Sequence, residues 1–309
     1  MNILVFGAGA LGGYFGGRLL EVGQNVSFFV REKRAEQLAK EGVKISSPEG
    51  DFESKDFSIY TSPEQVKNAD LIILTVKGYH LDSVIPQIQT IVAQTGAFVL
   101  PLLNGMEHIE RLQQAIGEEK VMGGLATIVA TLNKDGHVEH TNPTSLLKYG
   151  ALHSEQTQIC QQLEELHGKL KSTFTKEEDI RKHLWLKYAF IAALSGITSA
   201  MQLPTGYITN TPATLEIAKR VIHEMSMVAE KEGTPLTDEE VEGVVNMLLG
   251  FKKEATSSMH QDLRKGLPIE LEHLHGGALR LAEKHDVAIP VIETLYGILK
   301  PYEHGRPEN

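Results

Sequence analysis

The feature that most constrains the fold is a glycine pattern near the start of the chain, Gly7-Ala8-Gly9-Ala10-Leu11-Gly12. It follows a short apolar run at residues 3–6 and opens a segment at residues 11–22 with helical spacing. In a strand–turn–helix unit, Gly7 allows the tight turn, Gly9 lets a ligand approach the backbone, and Gly12 allows close helix–strand packing. The helix N-terminus then offers N–H groups and partial positive charge to an anion. We therefore expect Gly7, Ala8, Gly9, Ala10, Leu11 and Gly12 to bind the pyrophosphate of a nicotinamide dinucleotide.

A cation stands at the end of the second predicted strand, where the choice between NAD and NADP is made. An NAD site places Asp or Glu there to bind the ribose 2′-hydroxyl, whereas this chain has Arg31, followed by Lys33 and Arg34. A guanidinium binds a 2′-phosphate through paired hydrogen bonds, so the sequence predicts NADP. The alternative is a group of three solvated cations at a helix start.

Strand-like and helix-like segments alternate along the first half of the chain, which predicts a parallel sheet with helical crossovers. From residue 121 onward, two strand-like runs flank a turn at residues 133–136 that ends in Asp135-Gly136. We expect this hairpin to add an antiparallel edge to the sheet. Beyond residue 178 the apolar spacing is helical only. The sequence thus predicts an α/β Rossmann-type N-terminal domain at residues 1–178 followed by an all-α C-terminal domain at residues 179–309. Strands are expected at residues 3–6, 25–30, 71–76, 97–103, 121–132 and 137–149, and helices at residues 11–22, 33–41, 63–68, 156–171, 180–200, 212–232, 238–249 and 268–284.

Composition excludes several classes of partner. The net charge of −10 argues against a nucleic acid or an anionic membrane as a partner, since both need a basic face. Cys160 is the single cysteine, so no intramolecular disulfide forms and a reducing, cytoplasmic location is expected. The longest apolar stretch, at residues 184–200, contains Lys187 and is typical of a buried core helix. A homodimer is compatible with the apolar helical half.

Lys187 is the strongest catalytic candidate. Its helix is apolar on all sides, which is typical of a buried helix, and burial lowers the pKa of a lysine. Such a lysine can donate a proton near neutral pH. The alternative is a lysine whose ammonium group reaches the surface while its stem lies on apolar residues.

Other polar residues are weaker candidates. Glu270 follows Pro268, a favoured first helical residue, and a carboxylate there can simply complement the helix dipole. His273 and His275 lie on one predicted helix without metal-ligand spacing, so we expect no metal site. Asn104 stands at the carboxyl end of the fourth predicted strand, where ligands of open α/β sheets bind.

Taken together, these motifs resemble the ketopantoate reductase (2-dehydropantoate 2-reductase) family. The likeness runs in register along nearly the whole chain, and its order and spacing make it fairly specific. It covers the glycine pattern, Arg31, Thr75-Val76-Lys77, Leu103-Asn104-Gly105-Met106, Leu184-Trp185-Leu186-Lys187, Ser257-Ser258-Met259, Gln261-Asp262, Ile269-Glu270, Gly276 and Ala288-Ile289-Pro290.

The resemblance implies the reduction of a 2-keto acid, a small-molecule substrate, with NADPH. Lys187 would then give a proton to the oxygen at C2, and Glu270 would hydrogen-bond the keto or hydroxyl group. Asn104 would help to hold the lysine and the nicotinamide ribose. Ser258 would bind the substrate carboxylate, and Lys77 would contact the cofactor.

The chain departs from the family pattern beside the implied substrate. Ile191 and Ser195 stand where the family usually has asparagines, and Ala255 replaces a third. A site without those amides discriminates hydroxylated substrates poorly. Three readings stay open: reduction of ketopantoate to pantoate, a D-2-hydroxy-acid dehydrogenase for a branched or aromatic 2-keto acid, and a dinucleotide-sensing module without catalysis.

Overall fold

The computed structural model describes residues 1–143 and 145–307, and it divides into two compact units. The first unit comprises Met1–Leu103 and His108–Ile180, and the second comprises Asn104–Glu107 and Arg181–Asn309. The predicted boundary at residue 178 lies two residues before the change of unit at residue 180. The short segment that contains Asn104 belongs to the second unit, although it follows a strand of the first.

The first unit contains every strand of the described chain. These strands are β1 (Asn2–Phe6), β2 (Asn25–Phe29), β3 (Val43–Ser46), β4 (Phe52–Ser54), β5 (Ser58–Tyr60), β6 (Leu71–Leu74), β7 (Phe98–Pro101), β8 (Gly123–Thr127), β9 (Ala130–Leu132), β10 (Val138–His140), β11 (Leu146–Gly150) and β12 (Thr173–Lys176). The helices of its part of the chain are α1 (Ala10–Glu21), α2 (Glu32–Glu41), α3 (Leu81–Thr95), α4 (Glu107–Ile116) and α5 (Thr157–Glu164).

A five-stranded parallel sheet is the scaffold of this unit, as predicted. Its order is β5-β2-β1-β6-β7, so β1 lies at the centre. The inner strands β1 and β6 are apolar because both faces of the sheet are covered there; all four residues of β6 are buried. The Rossmann-type class is thereby confirmed, and the loop after β1 emerges at the middle of the carboxyl edge.

The antiparallel edge predicted after residue 121 is wrong in its pairing. The hairpin itself exists, since β9 pairs antiparallel with β10 across the predicted turn. However, β9 and β10 join β3 and β4 in a four-stranded sheet, while β8 and β11 pair with β12 in a three-stranded one. The strand predicted at residues 121–132 is therefore two short strands, β8 and β9, in different sheets. The strand predicted at residues 137–149 is likewise divided into β10 and β11. Alternation of apolar residues identifies a strand but not its distant partner.

Three further differences concern helix ends and short elements. The helix predicted at residues 63–68 is only a 3₁₀ turn, Pro63–Gln65, capped by Ser62. The helix predicted at residues 156–171 ends at Glu164. The helix α3 and the strands β3, β4, β5 and β12 were not predicted, because α3 contains a proline and the strands are three or four residues long.

The second unit is built of helices. They are α6 (Ile180–Met201, which begins at the end of the first unit), α7 (Gly206–Thr209), α8 (Pro212–Lys231), α9 (Asp238–Leu249), α10 (Ser258–Arg264), a π-helical segment (Glu272–Gly276), α11 (Gly277–Lys284) and α12 (Pro290–Leu299). The buried side chains Trp185, Tyr188 and Ala192 of α6 lie in its core. In the described chain α6 is the one helix long and apolar enough to cross a membrane, and 67% of its apolar window is buried, as in a core helix.

The close approach of α1 to β1 yields a test of the fold. A Cβ atom on Gly12 would lie 1.9 Å from the carbonyl oxygen of Gly7, whereas one on Gly9 would meet nothing within 4 Å. We expect Gly12→Ala to lower the free energy of unfolding by about 3 kcal/mol, because α1 must move away from the sheet. The matched variant Gly9→Ala should leave it unchanged within about 0.5 kcal/mol. Urea unfolding followed by circular dichroism measures both, and equal stability of the two variants would contradict this packing.

Candidate active site

The glycine loop between β1 and α1 is held by backbone and side-chain bonds. Gly7 has a φ of +97°, a conformation that suits glycine, and its N–H donates to Phe29 O of β2 at 3.0 Å. The Thr75 hydroxyl, just after β6, donates to Gly7 O at 2.6 Å. The Arg34 Nε atom donates to Ala8 O at 2.9 Å. The loop is therefore fixed from both neighbouring strands.

The N-terminus of α1 has the features of an anion site. Gly9 is the N-cap, no side chain caps the helix, and its first turn contains no acidic residue. The first N–H groups of a helix have no partner within it, so those of Ala10, Leu11 and Gly12 are available to a ligand. The space beside Gly9 is open. These residues fit the pyrophosphate of a dinucleotide.

Two of the three cations after β2 are available to a ligand, and the third is not. Arg31 and Lys33 are exposed at the start of α2, whereas the Arg34 guanidinium binds the glycine loop and Gln37. The alternative of three solvated cations therefore holds at most for Arg31 and Lys33, because Arg34 is bound within the protein. Burial, helped by the charge of Arg31, lowers the pKa of His80 in the 3₁₀ turn after β6.

Lys77 begins the segment that follows β6. It is the N-cap residue of the 3₁₀ turn Gly78–His80 and is partly buried. Because β6 lies beside β1 in the sheet, Lys77 and the glycine loop share the carboxyl edge of the parallel sheet. This placement agrees with the cofactor contact expected for it.

Lys187 lies on α6 among buried aromatic and aliphatic residues of the second unit. Leu184, Trp185, Tyr188 and Ala189 are each at most 3% exposed. This burial lowers the pKa of Lys187 to about 8, against an opposing effect of the Glu270 carboxylate, which raises it. The group can therefore hold and release a proton close to neutral pH.

Glu270 is buried, at 6% exposure, and stands immediately before the first helical residue, Leu271. The prediction that Pro268 opens this helix is wrong, since Pro268 lies in the preceding loop. The Glu270 carbonyl accepts from Leu274 N at 3.0 Å, and the π-helical segment follows at once. Glu270 is thus held at the helix entrance, close enough for its charge to act on Lys187.

The residue after Asn104, Gly105, lies close to the π-helical segment that follows Glu270. Gly105 has a φ of +84°, and a Cβ atom there would lie 2.9 Å from His273 O in the π-helical segment. The absence of a side chain on Gly105 lets this segment pack against the backbone that follows Glu270. Asn104 therefore stands one residue from a close contact with the segment that follows Glu270.

The residues expected at the substrate lie along and beyond α6. Ile191 and Ser195 follow Lys187 by one and two turns, so the three share a face; Ile191 is partly exposed and Ser195 is buried. Further along, Thr198 hydrogen-bonds Ser257 at 3.1 Å, and Ser257 caps α10. Ser258, the next residue, is the exposed first residue of α10.

The loop before α10 carries Ala255, whose carbonyl accepts two bonds from Thr205 at 2.9 and 2.8 Å. Phe251 of the same loop stacks edge-on against Phe190 of α6, with ring centroids 5.5 Å apart. This loop therefore packs an aromatic side chain against α6 at the residue that precedes Ile191.

No group of three or more His, Cys, Asp or Glu residues in the described ranges could hold a metal ion. His275 instead donates from Nε2 to Ala192 O at 3.1 Å, and burial lowers its pKa to about 4. Sequence reasoning missed the supporting roles of Thr75, Arg34 and His275. Their partners are backbone carbonyls of distant segments, which leave no local signal.

Family models match both halves of the chain. The ketopantoate reductase PanE/ApbA model matches residues 3–154, and the ketopantoate reductase PanE/ApbA C-terminal model matches residues 179–303. Among curated relatives, an uncharacterized oxidoreductase, YkpB from Bacillus subtilis (strain 168), is 37% identical over 303 residues, covering 98% of this chain and 99% of the relative. A 2-dehydropantoate 2-reductase from Halobacterium salinarum is 27% identical over 306 residues, covering 97% and 98%.

The fold is shared with solved structures. A ternary structure of D-mandelate dehydrogenase with NADH and anilino(oxo)acetate superposes with a TM-score of 0.87 at 22% identity, covering 97% of each chain. At that identity the likeness shows the fold alone. The two family models, with the relatives that span the whole length, show more: this chain is an oxidoreductase that belongs to the ketopantoate reductase family.

Proposed function

We propose that this protein reduces 2-dehydropantoate (ketopantoate) to D-pantoate with NADPH, a step toward pantothenate and coenzyme A. The observation that carries the proposal is the pairing of Lys187, whose pKa is near 8, with the buried Glu270. Lys187 is partly exposed, but its apolar surroundings make the ammonium group costly for the fold, so its retention next to a carboxylate supports a catalytic purpose. Membership of the family and the named activity of several relatives support the same reaction.

The first unit supports the cofactor part of the proposal. The reduced nicotinamide supplies a hydride to the keto carbon when the cofactor is bound. The N–H groups of Ala10, Leu11 and Gly12 would hold the pyrophosphate, and Lys77 would contact the cofactor at the same edge. Arg31 would bind the 2′-phosphate, and its exposure at the end of β2 supports NADP.

The second unit supports the proton transfer. The Lys187 Nζ atom would donate a proton to the substrate oxygen at C2, where negative charge develops. Glu270 would accept a hydrogen bond from the product hydroxyl and orient it, and Asn104 would help to hold the lysine. Ser258 would bind the substrate carboxylate from the exposed end of α10. The predicted cytoplasmic location and homodimer stay predictions.

A second candidate is a D-2-hydroxy-acid dehydrogenase that takes an apolar 2-keto acid. The observation that favours it is the apolar character of α6 after Lys187, where Ile191 is partly exposed and the preceding residue, Phe190, packs against Phe251. Such a surface suits a branched or aromatic side chain better than a hydroxylated one. A structural neighbour with the same fold is a D-mandelate dehydrogenase.

Steady-state oxidation of NADPH with three acceptors tests the proposed reaction. We expect kcat/KM to be highest with ketopantoate, and lower with 2-ketoisovalerate and phenylglyoxylate. A higher kcat/KM with either of the latter would overturn the pantoate assignment in favour of the second candidate. Binding of NADPH without turnover of any 2-keto acid would indicate a dinucleotide-sensing protein instead.

The cofactor preference is tested by reversing one charge. We expect Arg31→Glu to raise the Kd of NADPH by about 10- to 100-fold and that of NADH by less than about threefold, because only NADPH loses a charge-assisted contact. Lys33→Glu makes the same charge change two residues away and serves as the matched control, with a smaller effect on NADPH. Equal losses for both cofactors, measured by fluorescence titration, would show that Arg31 does not bind the 2′-phosphate.

A further inference from the structure

The π-helical segment Glu272–Gly276 begins two residues after Glu270. A π-helical turn inserts an extra residue into a helix, is rare, and often marks a functional site. Here it follows the carboxylate that acts on Lys187, and its first turn is tied to Glu270 by the bond from Leu274 N to Glu270 O. The position of Glu270 therefore depends on how this segment is held.

Two side-chain bonds hold the segment against α6. The His275 Nε2 atom lies 3.1 Å from Ala192 O, and the Tyr188 hydroxyl donates to Leu274 O at 2.5 Å. Because a carbonyl only accepts, the His275 Nε2 atom carries a proton, and burial, which lowers the pKa of His275 to about 4, keeps the ring neutral. Tyr188 and Ala192 follow Lys187 by one and five residues, so both bonds reach the part of α6 that carries the lysine.

The His275 ring fits a space that α6 leaves open for it. His275 is fully buried, and a Cβ atom on Gly196 would lie only 2.4 Å from its Nε2 atom. Any other residue at position 196 would displace the ring. The Nδ1 atom of His275 is buried without a hydrogen-bond partner, a cost that a purely apolar residue would avoid.

The charged side chains bonded to Glu272, at the start of the segment, form one group. Glu272 is bound by Arg280, Tyr296 and Lys300; burial alone would raise its pKa, but these partners lower it to about 2. Arg280 also pairs with Glu107 at 2.6 Å. The charge that acts on Lys187 is that of Glu270, and the Ala192 carbonyl acts on His275.

We propose that His275, seated against Gly196, is a positioning residue that sets the separation between Glu270 and Lys187. It acts through the backbone of the π-helical segment, not on the substrate. The proposal rests on Lys187 and Glu270 as the reacting pair of the proposed function. Its test therefore measures that pair directly, without turnover.

The experiment is a ¹³C NMR titration of the full-length protein labelled at lysine Cε, with the Lys187 signal assigned from Lys187→Arg. We expect the pKa of Lys187 to be about 8 in the wild type and lower by about 0.5 or more in His275→Leu, because the Glu270 carboxylate moves away. His275→Gln keeps a donor near the position of Nε2 and should restore the wild-type value. The variant Glu270→Gln removes the carboxylate charge and so measures its whole contribution to the pKa of Lys187.

The outcomes are distinct. A pKa in His275→Leu that stays at the wild-type value, or rises as water enters, would overturn the proposal. The double variant His275→Leu/Glu270→Gln should show no further fall beyond Glu270→Gln alone. Should His275→Leu fail to fold, Gly196→Ala, which displaces the ring with the histidine intact, gives the same comparison. Absence of 2-keto acid reduction in the wild type would reject the proposed function while leaving this titration unaffected.

Discussion

Removing an ammonium group from water is the constraint on which the second unit depends. A pKa near 8 for Lys187, against an ordinary value of 10.5, corresponds to about 3 kcal/mol between its two protonation states. The apolar neighbours on α6 impose that cost, and the Glu270 carboxylate offsets part of it. The balance leaves a lysine that is protonated at neutral pH and ready to lose its proton. Glu270 stands just before the π-helical segment, which is bonded to α6 by Tyr188 and His275.

Close backbone contact made possible by glycine recurs in both units. Gly12 lets α1 approach the carbonyl of Gly7, which fixes the dinucleotide loop at the centre of the sheet edge. Gly196 makes room for the His275 ring, and Gly105 lets its segment lie against His273 O. In each case a methyl group would come within 3 Å of another atom, so small residues determine the geometry while the polar residues carry the chemistry.

The predictable part of the structure is the part that local pattern encodes. The glycine loop, the central parallel strands and the buried helix of Lys187 follow from spacing over a few residues. The pairing of strands β8, β9, β10 and β11 does not follow from local spacing, because the alternation of apolar residues identifies a strand but not its distant partner. The start of the last predicted helix was also wrong. Pro268 has the local signature of a helix start, whereas the π-helical segment makes bonds to distant residues of α6, from Tyr188 to Leu274 O and from His275 to Ala192 O. For the same reason Asn104 could be placed at a strand end but not in the unit that contains Lys187.

The central claim is that Lys187 gives the proton in the reduction of a 2-keto acid. Its most direct measurement is the pH dependence of kcat with saturating NADPH and keto acid, between pH 6 and 10, for the wild type and Lys187→Ala. Protonated Lys187 is the donor, so wild-type turnover should be constant below the pKa near 8 and fall above it. Lys187→Ala should bind NADPH normally, turn over about 10²- to 10⁴-fold more slowly and lose that decline. Wild-type turnover in Lys187→Ala, or an unchanged decline above pH 8, would contradict the account.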